Sequence, residues 1–148
     1  MSITIDSSSR RAVLKIKRLD KLSDFAVERA IFKSGKGLVG TASKQILARP
    51  KSGRTYIRRD RIGRRRRHVA SAEGESHANM TGTLRKSLGF KVGTRELTFG
   101  YGVDRGDAPI YAARINRTRP SLENAIRSEQ KNIELHIARE IKKELGGR

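Results

Sequence analysis

The stretch from Arg49 to His68 holds ten Lys or Arg and one acid, Asp60, and so carries +9 of the chain's net +19 in twenty of its 148 residues. A single small domain cannot bury that density of charge, because each ionised side chain taken out of water needs a partner that this segment does not supply. The stretch must lie outside the core. It divides the chain into two parts that together have to build one domain, 1–148. Pro50 ends any helix before it, and Gly53 and Gly63 break the run, so 49–80 is expected to be a basic and polar loop insertion.

Composition narrows the rest. Apolar residues make up 35% and aromatics 5% of the chain, which suits a small core with exposed basic appendages and argues against a deep pocket. No apolar run approaches the ~20 residues needed to span a bilayer, and Met1 to Arg10 lacks the apolar stretch of a secretory signal. The expectation is a soluble protein that starts inside a cell and has no membrane partner. Cysteine is absent, which removes disulfides, thiol catalysis and cysteine zinc sites.

The patterning predicts an α+β fold. Ile3 and Ile5, then Leu14 and Ile16, alternate with polar residues, so 1–18 reads as an N-terminal arm or strand. Ser23 can cap a long N-terminal helix with Asp24 in its first turn; Leu22, Phe25, Ala26, Phe32, Val39, Ala42, Ile46 and Leu47 supply a buried face, and Gly35, Gly37 and Gly40 are expected to interrupt it. Leu84 to Val92, Glu96 to Val103 and Pro109 to Asn116 read as strands of a small antiparallel sheet of three or more strands. Pro120 and Ser121 open a C-terminal helix over 121–145, with Leu122, Ile126, Ile133, Ile137, Ile141 and Leu145 on one face and Gly146-Gly147 stopping it. Both helices would pack on the sheet, with Leu84, Leu88, Phe90, Phe99, Tyr111, Ile126, Ile133 and Ile137 in the core.

The motifs for chemistry are weak. Gly35-Lys36-Gly37-Leu38-Val39-Gly40 has the letters of a dinucleotide fingerprint, but a helical pattern precedes it where a strand is required, and Thr41 follows where a phosphate-binding loop has lysine. His68, His77 and His136 have no ligand spacing. Asp104 and Asp107 share a glycine-containing turn and could face a cation, yet acids there more often cap the turn. No serine sits in a nucleophile elbow. The expectation is a protein with no catalytic residue, cofactor or metal.

Arg54, Arg58, Arg59, Arg61, Arg64, Arg65, Arg66 and Arg67 are another matter. A guanidinium presents a planar fork of donors matched to phosphate oxygens and stays charged at any cellular pH. These eight are the candidate nucleic-acid-facing residues, DNA-facing if the partner is DNA. Only Tyr56 is interleaved as a stacking platform, so contact should be with the nucleic-acid backbone and independent of sequence. If about five of them met duplex phosphates, log K would fall against log salt with a slope near −4.5.

Several blocks occur in an order that has a counterpart elsewhere: His68-Val69-Ala70-Ser71-Ala72-Glu73-Gly74-Glu75, Thr81-Gly82-Thr83-Leu84-Arg85-Lys86-Ser87-Leu88, Phe99-Gly100-Tyr101-Gly102, Ile110-Tyr111-Ala112-Ala113 and Arg119-Pro120-Ser121-Leu122-Glu123-Asn124-Ala125-Ile126. Through them Arg49 to Arg148 resembles the tail-completion or neck (head–tail joining) family of tailed phages. Thr81, Gly82, Leu84, Arg85, Ser87, Tyr111, Ala112, Arg119, Pro120 and Ala125 carry the likeness most directly. The resemblance implies a structural virion protein at the neck, assembled from the host cytoplasm. It implies a homo-oligomeric ring, a hexamer or dodecamer, that meets head-connector and tail-terminator proteins and lines a DNA channel with its arginines.

Two other readings stay open. The same arginines would serve a free, sequence-independent nucleic-acid-binding protein of ribosomal or nucleoid type. An enzyme acting on nucleic acid would need clustered acids for metal, and only Asp104 and Asp107 come close.

Overall fold

The computed structural model describes residues 2–5, 11–15, 24–48, 50–78, 82–104, 109–144 and 146, the first two segments by their backbone alone. Along the chain run β1 (Ser2–Ile5), β2 (Arg11–Lys15), α1 (Asp24–Leu47), β3 (Thr55–Arg59), β4 (Arg65–Val69), α2 (Thr83–Lys86), β5 (Leu88–Gly93), β6 (Glu96–Tyr101), α3 (Ala112–Thr118) and α4 (Ser121–Glu144). The fold is α+β.

Helix α1 buries Val27, Ile31, Leu38, Ala42 and Ile46, a spacing of mostly four residues that keeps them on one face. That face meets α4 on one side and the sheet on the other. Lys33 Nζ donates to Glu140 Oε1 at 2.6 Å, and Gln45 Nε2 donates to Ser128 Oγ at 2.9 Å. Partners on α4 fall in number as those on α1 rise, so the two helices are antiparallel.

In the sheet, β5 pairs antiparallel with β6, Phe90 opposite Phe99 and Val92 opposite Leu97. The strand order is β1–β2–β6–β5, every neighbour antiparallel. Alternate residues Leu97, Phe99 and Tyr101 of β6 point inward and are buried, as the two-residue period of a strand requires.

Five expectations need correction. Phe25, Phe32 and Leu47, expected on the buried face of α1, are exposed, because the face covered by α4 and the sheet runs instead through Val27, Ile31, Leu38, Ala42 and Ile46. Gly35, Gly37 and Gly40 do not interrupt α1, which runs unbroken from Asp24 to Leu47. A Cβ on Gly35 would overlap the Phe90 ring, so glycine there permits close helix-to-sheet packing, and that packing outweighs its low helix propensity. The segment from Thr83 to Lys86 is a turn of helix and the strand begins only at Leu88, because Gly82 takes a left-handed φ of 80° and its carbonyl accepts from Lys86 N at 2.8 Å. Pro109 to Asn116 is no strand: Pro109 O accepts from Ala112 N at 2.8 Å in a turn that leads into α3. Tyr111, expected in the core, is 45% exposed while its neighbour Ala112 is fully buried. That position is the N-cap of α3, and the helix turns Ala112 inward instead.

Leu84, Leu88, Phe99, Ile126 and Ile133 are buried, and Phe90 and Ile137 are half-buried against them. At the end of α4, Gly146 has a left-handed φ of 76° and its N–H donates to Lys143 O at 3.2 Å, closing the helix. The expectations placed on Leu22, Ser23, Thr81, Asp107, Leu145 and Gly147 lie outside the described residues.

Candidate nucleic-acid interface

The basic segment is not a loop but a two-stranded antiparallel ribbon of β3 and β4, separate from the main sheet. Thr55 lies opposite Val69, Tyr56 opposite His68, Ile57 opposite Arg67, Arg58 opposite Arg66 and Arg59 opposite Arg65. Asp60 makes the turn. Its N–H donates to Arg64 O at 2.9 Å, its carbonyl accepts from Gly63 N at 3.0 Å, and its Oδ1 accepts from Ile62 N at 3.1 Å and Arg64 N at 2.9 Å. Gly63 has φ of 79°, the left-handed residue that a three-residue hairpin turn places after its first bend. The lone acid of the basic run thus organises it. The spacing Asp60 to Gly63 is a turn signal legible in the sequence, Asp at the first and Gly at the fourth position.

Arg54 beside β3, all five residues of β3, Arg61, Arg64 and the arginines of β4 are exposed, so the ribbon and its entry bring the eight candidate arginines together on a solvated element. Arg58 faces Arg66 and Arg59 faces Arg65 directly across the ladder, an unfavourable arrangement of like charges. Among the described residues the ion pair on the ribbon is Arg66 Nε with Asp60 Oδ2, at 3.3 Å. The Arg54 guanidinium sits 5.7 Å from the centre of the Tyr56 ring. A two-stranded ribbon with no apolar face of its own is stable only where something else holds its base.

That base is well held. Gly53 N donates to Ala70 O and Ala70 N to Arg54 O, each at 3.0 Å; a Cβ on Gly53 would strike the Ala70 and Ser71 carbonyls. Lys51 Nζ donates to the carbonyls of Gln45 at 2.8 Å and Ser76 at 3.0 Å, joining the ribbon to the end of α1. Glu75 accepts from Ser52 Oγ at 2.6 Å and from Ala72 N at 3.0 Å, and these hydrogen bonds, the serine's foremost, hold its carboxyl below the usual carboxylate range. Arg119 Nε donates to Ser71 O at 3.0 Å, and Asn124 Nδ2 to Gly74 O at 3.1 Å.

Below this joint is a buried polar cluster that sequence reasoning missed. His77 N donates to Ser121 Oγ at 3.1 Å, His77 Nδ1 lies 2.8 Å from the same oxygen, and the Tyr101 hydroxyl is 3.4 Å from Nδ1. Burial, with the positive charges of Lys51 and Arg119, pushes His77 down to about 4, and burial pushes the Tyr101 hydroxyl up. Ser121 is fully buried, so this serine and histidine pin the loop before α2 to the start of α4 and present no nucleophile to a substrate.

Residues of the sequence blocks divide between this joint and the core. Arg119 bonds the 68–75 segment, Ala112 and Ala125 are fully buried, and Ser87 Oγ donates to Leu84 O at 2.9 Å while its carbonyl accepts from Gly102 N at 2.6 Å. Arg85 is half-buried with Nε enclosed and without a hydrogen-bond partner, Pro120 is half-buried, and Tyr111 stands on the surface. Of the residues that carry the likeness, Arg119 thus bonds the base of the ribbon and Leu84, Ala112 and Ala125 belong to the core of the domain.

Gly35 to Gly40 lie inside α1, where the backbone N–H groups close helical bonds and are not open to a pyrophosphate. Among the described residues no three His, Asp or Glu side chains come together as metal ligands, and no helix is long and apolar enough to cross a membrane. Asp104 is exposed in the turn that follows β6. No protein family, curated protein or solved structure matches the chain.

Proposed function

We propose that this chain is the structural subunit of an oligomeric neck ring joining phage head to tail, with the β3–β4 ribbon turned toward DNA in the channel. The observation that carries the reading is the ribbon itself: eight arginines on an exposed element, anchored by a network of hydrogen bonds to a small domain. Its charge and geometry suit phosphate, its lack of base-reading features suits DNA of any sequence, and its fixed base suits a surface that must point one way. The ordered sequence blocks from His68 to Ile126 add the resemblance to tail-completion and neck proteins. Large apolar side chains on the surface, Phe25, Phe32, Ile110 and Tyr111, suit contacts with neighbouring subunits. No step of this role asks for a catalytic residue, cofactor or metal.

The test is mass in solution by light scattering, at low and high salt, with and without a short DNA duplex. A closed hexamer or dodecamer that persists at high salt without DNA is the expected result. A monomer that gathers only on DNA and leaves it steeply as salt rises would replace the ring with a free nucleic-acid-binding protein. A monomer indifferent to DNA would remove the phosphate argument as well.

A further inference from the structure

The two faces of the ribbon are not equivalent. Residues directly opposite in an antiparallel ladder share a face, and successive residues alternate between faces. One face therefore carries Tyr56, Arg58, Arg66 and His68; the other carries Ile57, Arg59, Arg65 and Arg67.

The first face is engaged at Arg66, Tyr56 and His68, although Tyr56, Arg58 and Arg66 stay exposed. Asp60 pairs with Arg66 at 3.3 Å, Arg54 lies over the Tyr56 ring, and His68 lines a hollow with Ser71, His77, Ile115 and Arg119 on the body of the domain. The second face has no carboxylate against it among the described residues, and Ile57 at its centre is 72% exposed. Arg65 and Arg67 are two residues apart on one strand, about 7 Å, comparable to the repeat of phosphates along a nucleic-acid strand. Arg59 stands across from Arg65, so two guanidiniums flank a place where one phosphate would relieve their mutual repulsion.

The geometry points to Arg59, Arg65 and Arg67 as the phosphate-binding face for double-stranded DNA, with Arg58 and Arg66 on the opposite face, where Asp60 neutralises Arg66 and His68 meets the domain. Ile57 supplies an apolar group between them that can lie against deoxyribose. This rests on the DNA reading above and narrows it to one side of the ribbon.

Two double variants of the full chain separate the faces, because each removes one cross-strand pair and the same charge: Arg59→Ser with Arg65→Ser, and Arg58→Ser with Arg66→Ser. Binding to a short mixed-sequence duplex is measured over a salt series, with circular dichroism and the ribbon's amide signals by NMR to follow folding. The expected result is a salt slope less steep by about 1.8 for the Arg59/Arg65 variant and nearly unchanged for the Arg58/Arg66 variant. Lysine at 59 and 65 is expected to recover most of the lost slope, which a merely structural loss would not allow. Equal losses in both variants, or a larger one at 58 and 66, would overturn the face assignment and leave DNA binding standing. A parent chain with no salt-dependent duplex binding would overturn both.

Discussion

Gly35 of α1 lies so close beneath the Phe90 ring of β5 that a single added methyl would overlap the ring carbons. The ring has little room to yield, since it packs against the core and sits edge-on to Phe32 with centroids 5.5 Å apart. Gly40, five residues on, has nothing within 4 Å of the equivalent point.

Alanine at these two glycines is therefore expected to act in opposite directions. Gly40→Ala should stabilise the fold by roughly 1 kcal/mol through helix propensity alone. For Gly35→Ala the same gain is outweighed by overpacking of about 1–3 kcal/mol, and the net change should be a loss. Urea unfolding of both variants checks this; a stabilised Gly35→Ala would mean that α1 and β5 are not pressed together.

Glu140 is the second link between elements. Its side chain is 4% exposed and sits 2.6 Å from Lys33 Nζ, 3.2 Å from Arg29 Nε and 3.6 Å from Lys143 Nζ. The Lys33 hydrogen bond, foremost, holds its carboxyl below the usual range. Glu140→Gln should lower stability at neutral pH by roughly 1–3 kcal/mol, the half-exposed cations keeping the cost below that of a fully buried pair. The folded carboxyl binds its proton less readily than the unfolded one, so its stabilisation is present above the unfolded value near 4.5 and is lost as pH falls through the lower folded value. The variant should show a weaker acid dependence below pH 4.5, read from denaturant midpoints across pH.

His77 acts in a different pH window. Its folded value of about 4 lies below the ordinary 6.5, so between these the unfolded chain binds a proton that the folded chain does not, and stability rises with pH. The full span is worth on the order of 3 kcal/mol. His77→Gln is expected to flatten the stability profile between pH 4 and 6.5, whatever its effect at neutral pH. An unchanged slope there would mean that the imidazole is not held neutral against Ser121 and Tyr101.

The arginine run should contribute to binding without holding the fold. Changing Arg64, Arg65, Arg66 and Arg67 together to Ser removes like charges from an exposed strand and touches no residue of the core. Unfolding midpoints should stay within about 1 kcal/mol of the parent, while duplex DNA retention falls and its salt slope flattens. Loss of helical circular dichroism would contradict this, because α1 and α4 carry the core.

The sequence by itself determined that the Arg49 to His68 segment stays in solvent, since charge density alone settles which residues cannot be buried. It also determined most of α4, where apolar residues recur with the helical period and the C-terminal glycine stops the last turn. On α1 it placed Ala26, Ala42 and Ile46 correctly but not Phe25, Phe32 and Leu47, which are exposed, because which side of an apolar helix is covered depends on where α4 and the sheet lie. Tertiary structure decided the rest. Whether Gly35 breaks a helix or lets it approach a sheet depends on Phe90, fifty-five residues away in the chain. Whether Pro109 to Asn116 forms a strand or a helix is not fixed by apolar period over so short a run; in the fold Ala112 and Asn116, four residues apart, are buried together on one helical face. The arginine ribbon lay between these cases. Asp60 and Gly63 mark its turn locally, but where the ribbon stands and which of its faces brings His68 to the domain are set by the joint of Lys51, Glu75, His77 and Arg119, whose hydrogen bonds tie its base to α1, the 71–77 segment and the start of α4.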